Sequence, residues 1–299
     1  MAGQVDLFLD SLVDAPLRDE RALMEFPFFS ISKRPQKEPL VYEREAVKIV
    51  VSPGIKGVAT IWDRDVLIYI ASLLNERMER GLPATKKVQF AAHDFLRVTR
   101  RGTGKQAYEL FKDALFRLRS TTVETTITSG GSFNHRGFGW IETFEIVEDE
   151  RPDGTRRMRA VEISLSDWMY KAVTKDRRVL SISRDYFSLT GGLERRLYQL
   201  ARKHVGRQRE WKILLPALAE KVGSQQDLRF FKRDLKKVIE ADNIPDYRFH
   251  LQGDAASEAE RALVADGYKG RALAGNDRIL VVCHPKSLVE VVLEDGDSE

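Results

Sequence analysis

The stretch KKVQFAAHDFLRVTRRGTGKQAYELFKDALFRLRS, residues 86–120, decides the fold. Val88 to Phe90 reads as a short strand and about 91–98 as a short helix. Gly102 and Gly104 mark a turn, and a longer helix runs from about 103 to 119. Ala107, Leu110, Phe111, Ala114, Leu115 and Leu118 recur as one apolar stripe. The other faces carry Lys105, Gln106, Tyr108, Glu109, Lys112, Asp113 and Arg117. A short helix, a glycine-containing turn and a longer helix with a polar outer face is the helix-turn-helix pattern. Val123, Thr125 and Ile127 alternate, so 121–128 reads as a strand, followed by the turn SGGSFNHRG and a second strand through Trp140, Phe144 and Ile146. A helix-turn-helix followed by a β-hairpin is the winged-helix arrangement.

Upstream, Leu67, Ile70, Ala71, Leu74 and Met78 predict a helix over about 63–80, with Asp63 as N-cap and Gly81 and Pro83 as its end. Residues 26–58 hold an aromatic cluster, prolines and a strand-like run at Val47–Val51. Downstream, DERPDGTRR is another turn, Val161, Ile163 and Leu165 a strand, and DWMYKAV a short helix. The order then repeats. A helix spans about 192–206, and Trp211 to Leu214 forms a short strand. Pro216 suits the first turn of a short helix that Gly223 ends. Ser224 caps the next helix, which runs to about 241 on a stripe of Leu228, Phe231, Leu235, Val238 and Ile239. Tyr247, Phe249 and Leu251 alternate as a wing strand, and its partner, Ile279–Cys283, lies beyond an insertion. The expected fold class is therefore α+β, with two tandem winged-helix domains at 26–175 and 176–285. They are flanked by a flexible acidic N-terminal tail, 1–25, and an acidic C-terminal tail, 286–299.

A chain of 299 residues, 42% hydrophobic and 31% charged, is ample for two cores. It holds no apolar run near the roughly 20 residues of a membrane span, and its first residues lack the basic and apolar regions of a signal peptide. One cysteine, Cys283, excludes an internal disulfide framework. A cytoplasmic protein is expected. The net charge of +4 is unevenly placed: Arg195–Lys237 holds 13 Lys/Arg against four acids, while the last ten residues carry five acids and no base. Such asymmetry suggests a basic working surface with acidic ends.

Catalytic signatures are missing. Gly104-Lys105 invites a phosphate-loop reading, but Thr99 and Gln106 stand where such a loop needs Gly and Ser or Thr. His93, His135, His204, His250 and His284 have no metal-ligand spacing. No catalytic residue, metal or cofactor is expected.

DNA chemistry fits better. Affinity comes largely from Lys and Arg at phosphates, and sequence is read by Arg on guanine and Gln or Asn on adenine. The second long helix offers Ser224, Gln225, Gln226 and Arg229 near its start, then Lys232, Arg233, Lys236 and Lys237. The first module offers Arg100, Arg101, Thr103, Lys105, Gln106, Tyr108 and Lys112 in the same place. Arg195, Arg196, Arg202 and Lys203 line the preceding helix as candidate phosphate contacts. Arg136, Arg156 and Arg157 sit in predicted hairpins. The second module, with its concentrated charge, is expected to supply most of the affinity. The first, whose helix also carries Glu109 and Asp113, is the candidate dimer surface.

Five blocks carry a resemblance: EFPFFSISK (25–33), GVATIWDRDVLIYIAS (57–72), RRGTGKQAYELFKDALFRLRSTTVETTI (100–127), VEISLSDWMYKAV (161–173) and SRDYFSLTGGLERRLYQLARKHVGRQREW (183–211). In that order they resemble the replication initiator protein A family of bacterial plasmids, near-continuously from about 25 to 251. The resemblance implies a tandem winged-helix protein that binds repeated duplex elements (iterons) at an origin. It also implies opening of adjacent AT-rich DNA and recruitment of host replication proteins, among them the host initiator and the replicative helicase. Related initiators repress their own promoter as dimers and initiate as monomers. The alternative is a dimeric repressor that occupies an operator without initiating. Separately, Gln4-Val5-Asp6-Leu7-Phe8 resembles the short peptide that docks bacterial proteins on the polymerase sliding clamp.

Overall fold

The computed structural model describes residues 15–44, 46–127, 137–150, 156–253 and 275–287, with Leu12, Gly154 and Arg261. In chain order the elements are β1 (Leu17–Glu20), α1 (Arg21–Glu25), β2 (Leu40–Arg44), β3 (Val47–Ser52), α2 (Arg64–Glu79), β4 (Lys87–Ala91), α3 (Ala92–Val98) and α4 (Lys105–Ser120). Then come β5 (Thr122–Thr125), β6 (Gly137–Phe138), β7 (Ile141–Glu150), β8 (Arg156–Leu165), α5 (Asp167–Thr174) and β9 (Val179–Ile182). The chain continues through α6 (Gly192–His204), β10 (Trp211–Leu214), α7 (Leu215–Val222), α8 (Leu228–Ala241), β11 (Tyr247–Gln252) and β12 (Leu280–Pro285). The described residues form two units. One holds those up to Glu20 together with Arg34–Ile182; the other holds Arg21–Lys33 and those from Ser183 onward.

In the first unit, α2, β4, α3, α4 and the β7–β8 hairpin come in that order, with β5 and β6 inserted before the hairpin, and the sheet runs β4-β8-β7 with all pairs antiparallel. The hairpin lies later than the sequence reading places it. Thr122–Thr125 pairs instead with β3 and β6, in a separate sheet ordered β2-β3-β5-β6. The inward residues of β8 explain why it is the central strand: Ala160, Val161, Ile163 and Leu165 are all buried. The core centres on Tyr69, Phe90, Phe95 and Phe111, with Phe95 and Phe111 stacked at 4.4 Å. Each fully buried ring of this kind contributes about 1.5–3 kcal/mol.

The α2 start differs in detail from the expectation. Asp63 makes no cap bond to its own helix. Its carboxylate accepts from the Thr60 amide at 2.7 Å, and the Thr60 hydroxyl accepts from the Asp63 amide at 3.3 Å. This reciprocal pair is a capping box with Thr60 as the cap. Asp63 also receives both Nε and Nη2 of Arg117, at 2.7 Å each, and so ties α4 to α2. Leu110, expected in the α4 stripe, is 53% exposed, while Phe111, Ala114, Leu115 and Leu118 are buried.

The second unit repeats the order with α6, β10, α7, α8, β11 and β12, and its antiparallel sheet runs β10-β12-β11. Both sheets place the last strand in the middle. In α7, Pro216 stands in the first turn and Gly223, at φ 79°, ends the helix in the left-handed region.

The segment 17–25, expected in a flexible tail, is structured. β1 pairs with β9, Leu17 is buried, and Asp19 forms a buried ion pair with Arg64 at 2.7 Å. α1 buries Ala22, Leu23 and Met24 and packs on α6. The unit boundary falls at Ile182–Ser183 rather than 175–176. Of the expected acidic tail at 286–299, only Lys286 and Ser287 lie among the described residues.

His204, the last residue of α6, stacks on Trp211 at 4.6 Å. Burial, then the charges of Lys221 and Lys203, push its imidazole down to about 4 from 6.5. Below pH 6.5 the unfolded chain therefore binds a proton that the folded one resists. Stability from this group is complete above about 6.5 and is lost as pH falls toward 4. The urea midpoint should drop between pH 7 and pH 5, and His204→Phe, which keeps a ring on Trp211, should shrink that drop.

Candidate nucleic-acid interface

α8 owes its two faces to a short apolar repeat. Phe231 and Leu235 are buried, Leu228, Val238 and Ile239 are half-buried at the rim, and Arg229, Arg233, Lys236 and Lys237 are exposed. The turn before it is built by the end of α7: the Gly223 amide donates to the Glu220 carbonyl at 2.9 Å and the Ser224 amide to Ala219 at 3.0 Å. Ser224 thus closes α7 rather than capping α8. Asp227 is the N-cap, so the exposed Gln225 and Gln226 stand in the turn ahead of the helix. Lys232 is half-buried and donates to the Asn276 side chain at 3.0 Å. Two residues of this surface escape the sequence reading. Phe230 lies under Arg229 (4.4 Å) and Arg233 (5.2 Å), and Asp234 accepts from Arg233 Nε at 3.1 Å. The signal was the Phe230–Arg233 spacing of three, which puts both on one side of a helix.

The equivalent face of the first unit is less cationic. Arg100, Thr103, Lys105 and Gln106 are exposed, and Tyr108 and Lys112 half-buried. Thr103 precedes the helix, which starts at Lys105 with Gly104 as N-cap. Glu109 is exposed on the same helix, and Asp113 is paired with Lys56. The β7–β8 hairpin is also charge-balanced, since Asp149 and Glu150 of β7 lie opposite Arg157 and Arg156. Glu145 and Glu148 add further exposed carboxylates.

Arg100 has φ 54°, the left-handed region. A non-glycine residue there costs of order 1 kcal/mol or more. Arg100→Gly should therefore raise the thermal midpoint of the protein by a few degrees. If the side chain serves DNA, the same variant should bind duplex more weakly, which a titration at fixed salt would measure.

Five of the expected contact residues are engaged by partners within the protein. Arg101 Nη2 donates to the Trp62 carbonyl at 2.5 Å and to Asp65 at 2.9 Å, under the Phe95 ring. Arg195 is 4% exposed and donates to the Leu189 carbonyl at 2.7 Å. Arg196 is 3% exposed and donates to the carbonyls of Leu23, Met24 and Lys221 at 2.7–3.1 Å. Arg202 is half-buried and bonds to Tyr247. Lys203 pairs with Glu25 at 3.0 Å. For the four on α6 the cause is that this helix has little solvent face, because α1 and α7 pack on it. Burial opposes the Glu25 charge, but the Lys203 hydrogen bond and the charges of Lys203 and Lys221 outweigh it and hold that carboxyl below its usual range. Arg136 and the peptide Gln4, Val5, Asp6, Leu7 and Phe8 lie outside the described residues.

Among the described residues, no group of three or more His, Cys, Asp or Glu is placed to hold a metal, and no helix is long and apolar enough to cross a membrane. Cys283 is buried, and burial drives its thiol well above the usual range.

Two copies of one element order, each with a long helix after a tight turn, and one such helix strongly cationic, are the equipment of a DNA-binding protein. Crystal structures of domains 2 and 3 of RctB share the fold. One aligns with TM-score 0.57 at 14% identity, covering 87% of this chain and 94% of that one; a second gives 0.54 at 14% identity, covering 90% and 97%. A putative replication protein of Wigglesworthia glossinidia brevipalpis is 35% identical over 256 residues, 84% of this chain and 92% of the relative. The profile of the replication initiator protein A family matches residues 18–249, and the chain belongs to that family.

Proposed function

We propose that the chain starts replication of a bacterial plasmid by binding repeated duplex elements at its origin through two winged-helix modules. The observation that carries this reading is α8. Its buried Phe231 and Leu235 turn Arg229, Arg233, Lys236 and Lys237 outward together. The N-terminal residues of such a helix meet base edges and its later cations meet phosphates. The topology β10-β12-β11, matched by β4-β8-β7, supports the two-module reading. The second module supplies most of the affinity. The first contributes Arg100, Thr103, Lys105 and Gln106, beside a helix face that also carries Glu109 and the paired Asp113. The protein performs no chemistry of its own. Binding strains adjacent AT-rich DNA, and the host initiator and helicase are recruited to the opened site in the bacterial cytoplasm. A dimer represses the promoter while the monomer initiates, and residues 4–8 dock on the sliding clamp.

The test is a plasmid whose sole origin is this gene with its flanking DNA. It should replicate, and the protein should footprint repeats of about two helical turns. Footprinting without replication would leave a repressor. A footprint confined to one groove would mean that one module does not read DNA.

A further inference from the structure

Asp234 places a carboxylate on the helix whose other outward residues are mostly cations. Its Oδ1 accepts from Arg233 Nε at 3.1 Å and lies 3.9 Å from Lys237 Nζ, while its Oδ2 accepts from Gln226 Nε2 at 3.4 Å. The Arg233 hydrogen bond, with that of Gln226 and the nearby cations, holds the carboxyl below its usual range against some burial, so it stays ionised at neutral pH. On its other side the Arg233 guanidinium lies over Phe230, 5.2 Å from the ring centre. A carboxylate and a ring therefore fix one arginine, and the same carboxylate reaches back to a glutamine in the turn before the helix.

Two physical consequences follow. A long arginine that is already held loses less rotamer freedom when it docks on a base edge. A fixed negative charge on the same face repels phosphates, and binding to random duplex is almost wholly phosphate electrostatics. Base contacts are short-ranged and directional, so the repulsion weighs more heavily on random than on cognate DNA.

We propose that Asp234 is a specificity-determining positioning residue, which arranges Arg233 and Gln226 for base reading and suppresses binding to random duplex. This rests on α8 being the reading helix. The experiment uses the full chain and a duplex enriched by the wild-type protein from a random pool, against random duplex of equal length, over a range of salt. D234N should bind random duplex several-fold more tightly, with a salt slope steeper by up to about one unit. It should bind the enriched duplex no more tightly, so the specificity ratio should fall at least several-fold. D234E, which keeps the charge, should recover most of that ratio. Thermal midpoints of both variants separate a change in reading from a change in folding, and Asp234→Ser serves as a second neutral variant. A ratio within two-fold of wild type in both neutral variants overturns the proposal. If the wild-type protein enriches no sequence at all, it is the assignment of α8 that fails instead.

Discussion

Arg196→Ala should cost the second unit about 3–5 kcal/mol, the range for removing one partner of a buried charged network. The guanidinium serves two helix ends at once. Nη1 donates to the carbonyls of Leu23 and Met24 in α1, and Nε and Nη2 donate to the Lys221 carbonyl in α7. Those carbonyls belong to last turns, which lack partners within their own helices. A cation there is also favoured by the helix dipole. Alanine leaves the carbonyls buried and opens a hole between α1, α6 and α7. Lysine should not rescue, because a single ammonium cannot span both ends as a planar fork does. A urea titration measures the loss. The same variant, studied where it is still folded, should keep the wild-type salt slope for DNA. A slope flatter by about one unit with stability unchanged would instead restore the phosphate contact that the sequence suggests.

The second large effect is on recognition. Arg229→Ala should cost about 1–3 kcal/mol on a cognate duplex and relax base preference at one or two positions. Combined with Arg233→Ala, the loss should approach the sum, reduced because the two guanidiniums share the Phe230 ring. Lys236→Ala is the contrast: an exposed cation further along α8. It should weaken all sequences alike and flatten the salt slope by about one unit. Gel-shift titrations of enriched and random duplexes at several salt concentrations resolve both. Equal losses for Arg229→Ala on the two duplexes would count against its placement over base edges.

The sequence carried the element order because periodicity reports which face is buried. Phe231 and Leu235 of α8, and Phe111, Ala114 and Leu115 of α4, could be read from spacing alone. Buried arginines could not. Arg195 and Arg196 have the same letters and helical phase as solvent-facing cations, and only the fold shows that their partners are backbone carbonyls. Local spacing also cannot say which strands pair. The alternation at 121–128 is real, but β5 finds β3, about 70 residues earlier, instead of forming the hairpin of the sheet with β4. Helix starts slipped for a similar reason. Ser224 is a competent cap, yet Gly223 and the α7 carbonyls claim that turn first.

The crossing of the chain between units bears on how the protein is made. α1 leaves the ribosome well before its partner, since the Arg196 that fastens Met24 is 172 positions later. During synthesis the intervening first unit can complete its core while α1 has no groove to enter. Contacts so distant in sequence form late and slowly. Until they do, Leu23 and Met24 present an apolar surface to solvent. A fragment beginning at Ser183 would never acquire α1, and would meet water with the α6 face that this short helix normally shields. Supplying residues 21–33 as a separate peptide should restore its solubility, making the two pieces a complementing pair.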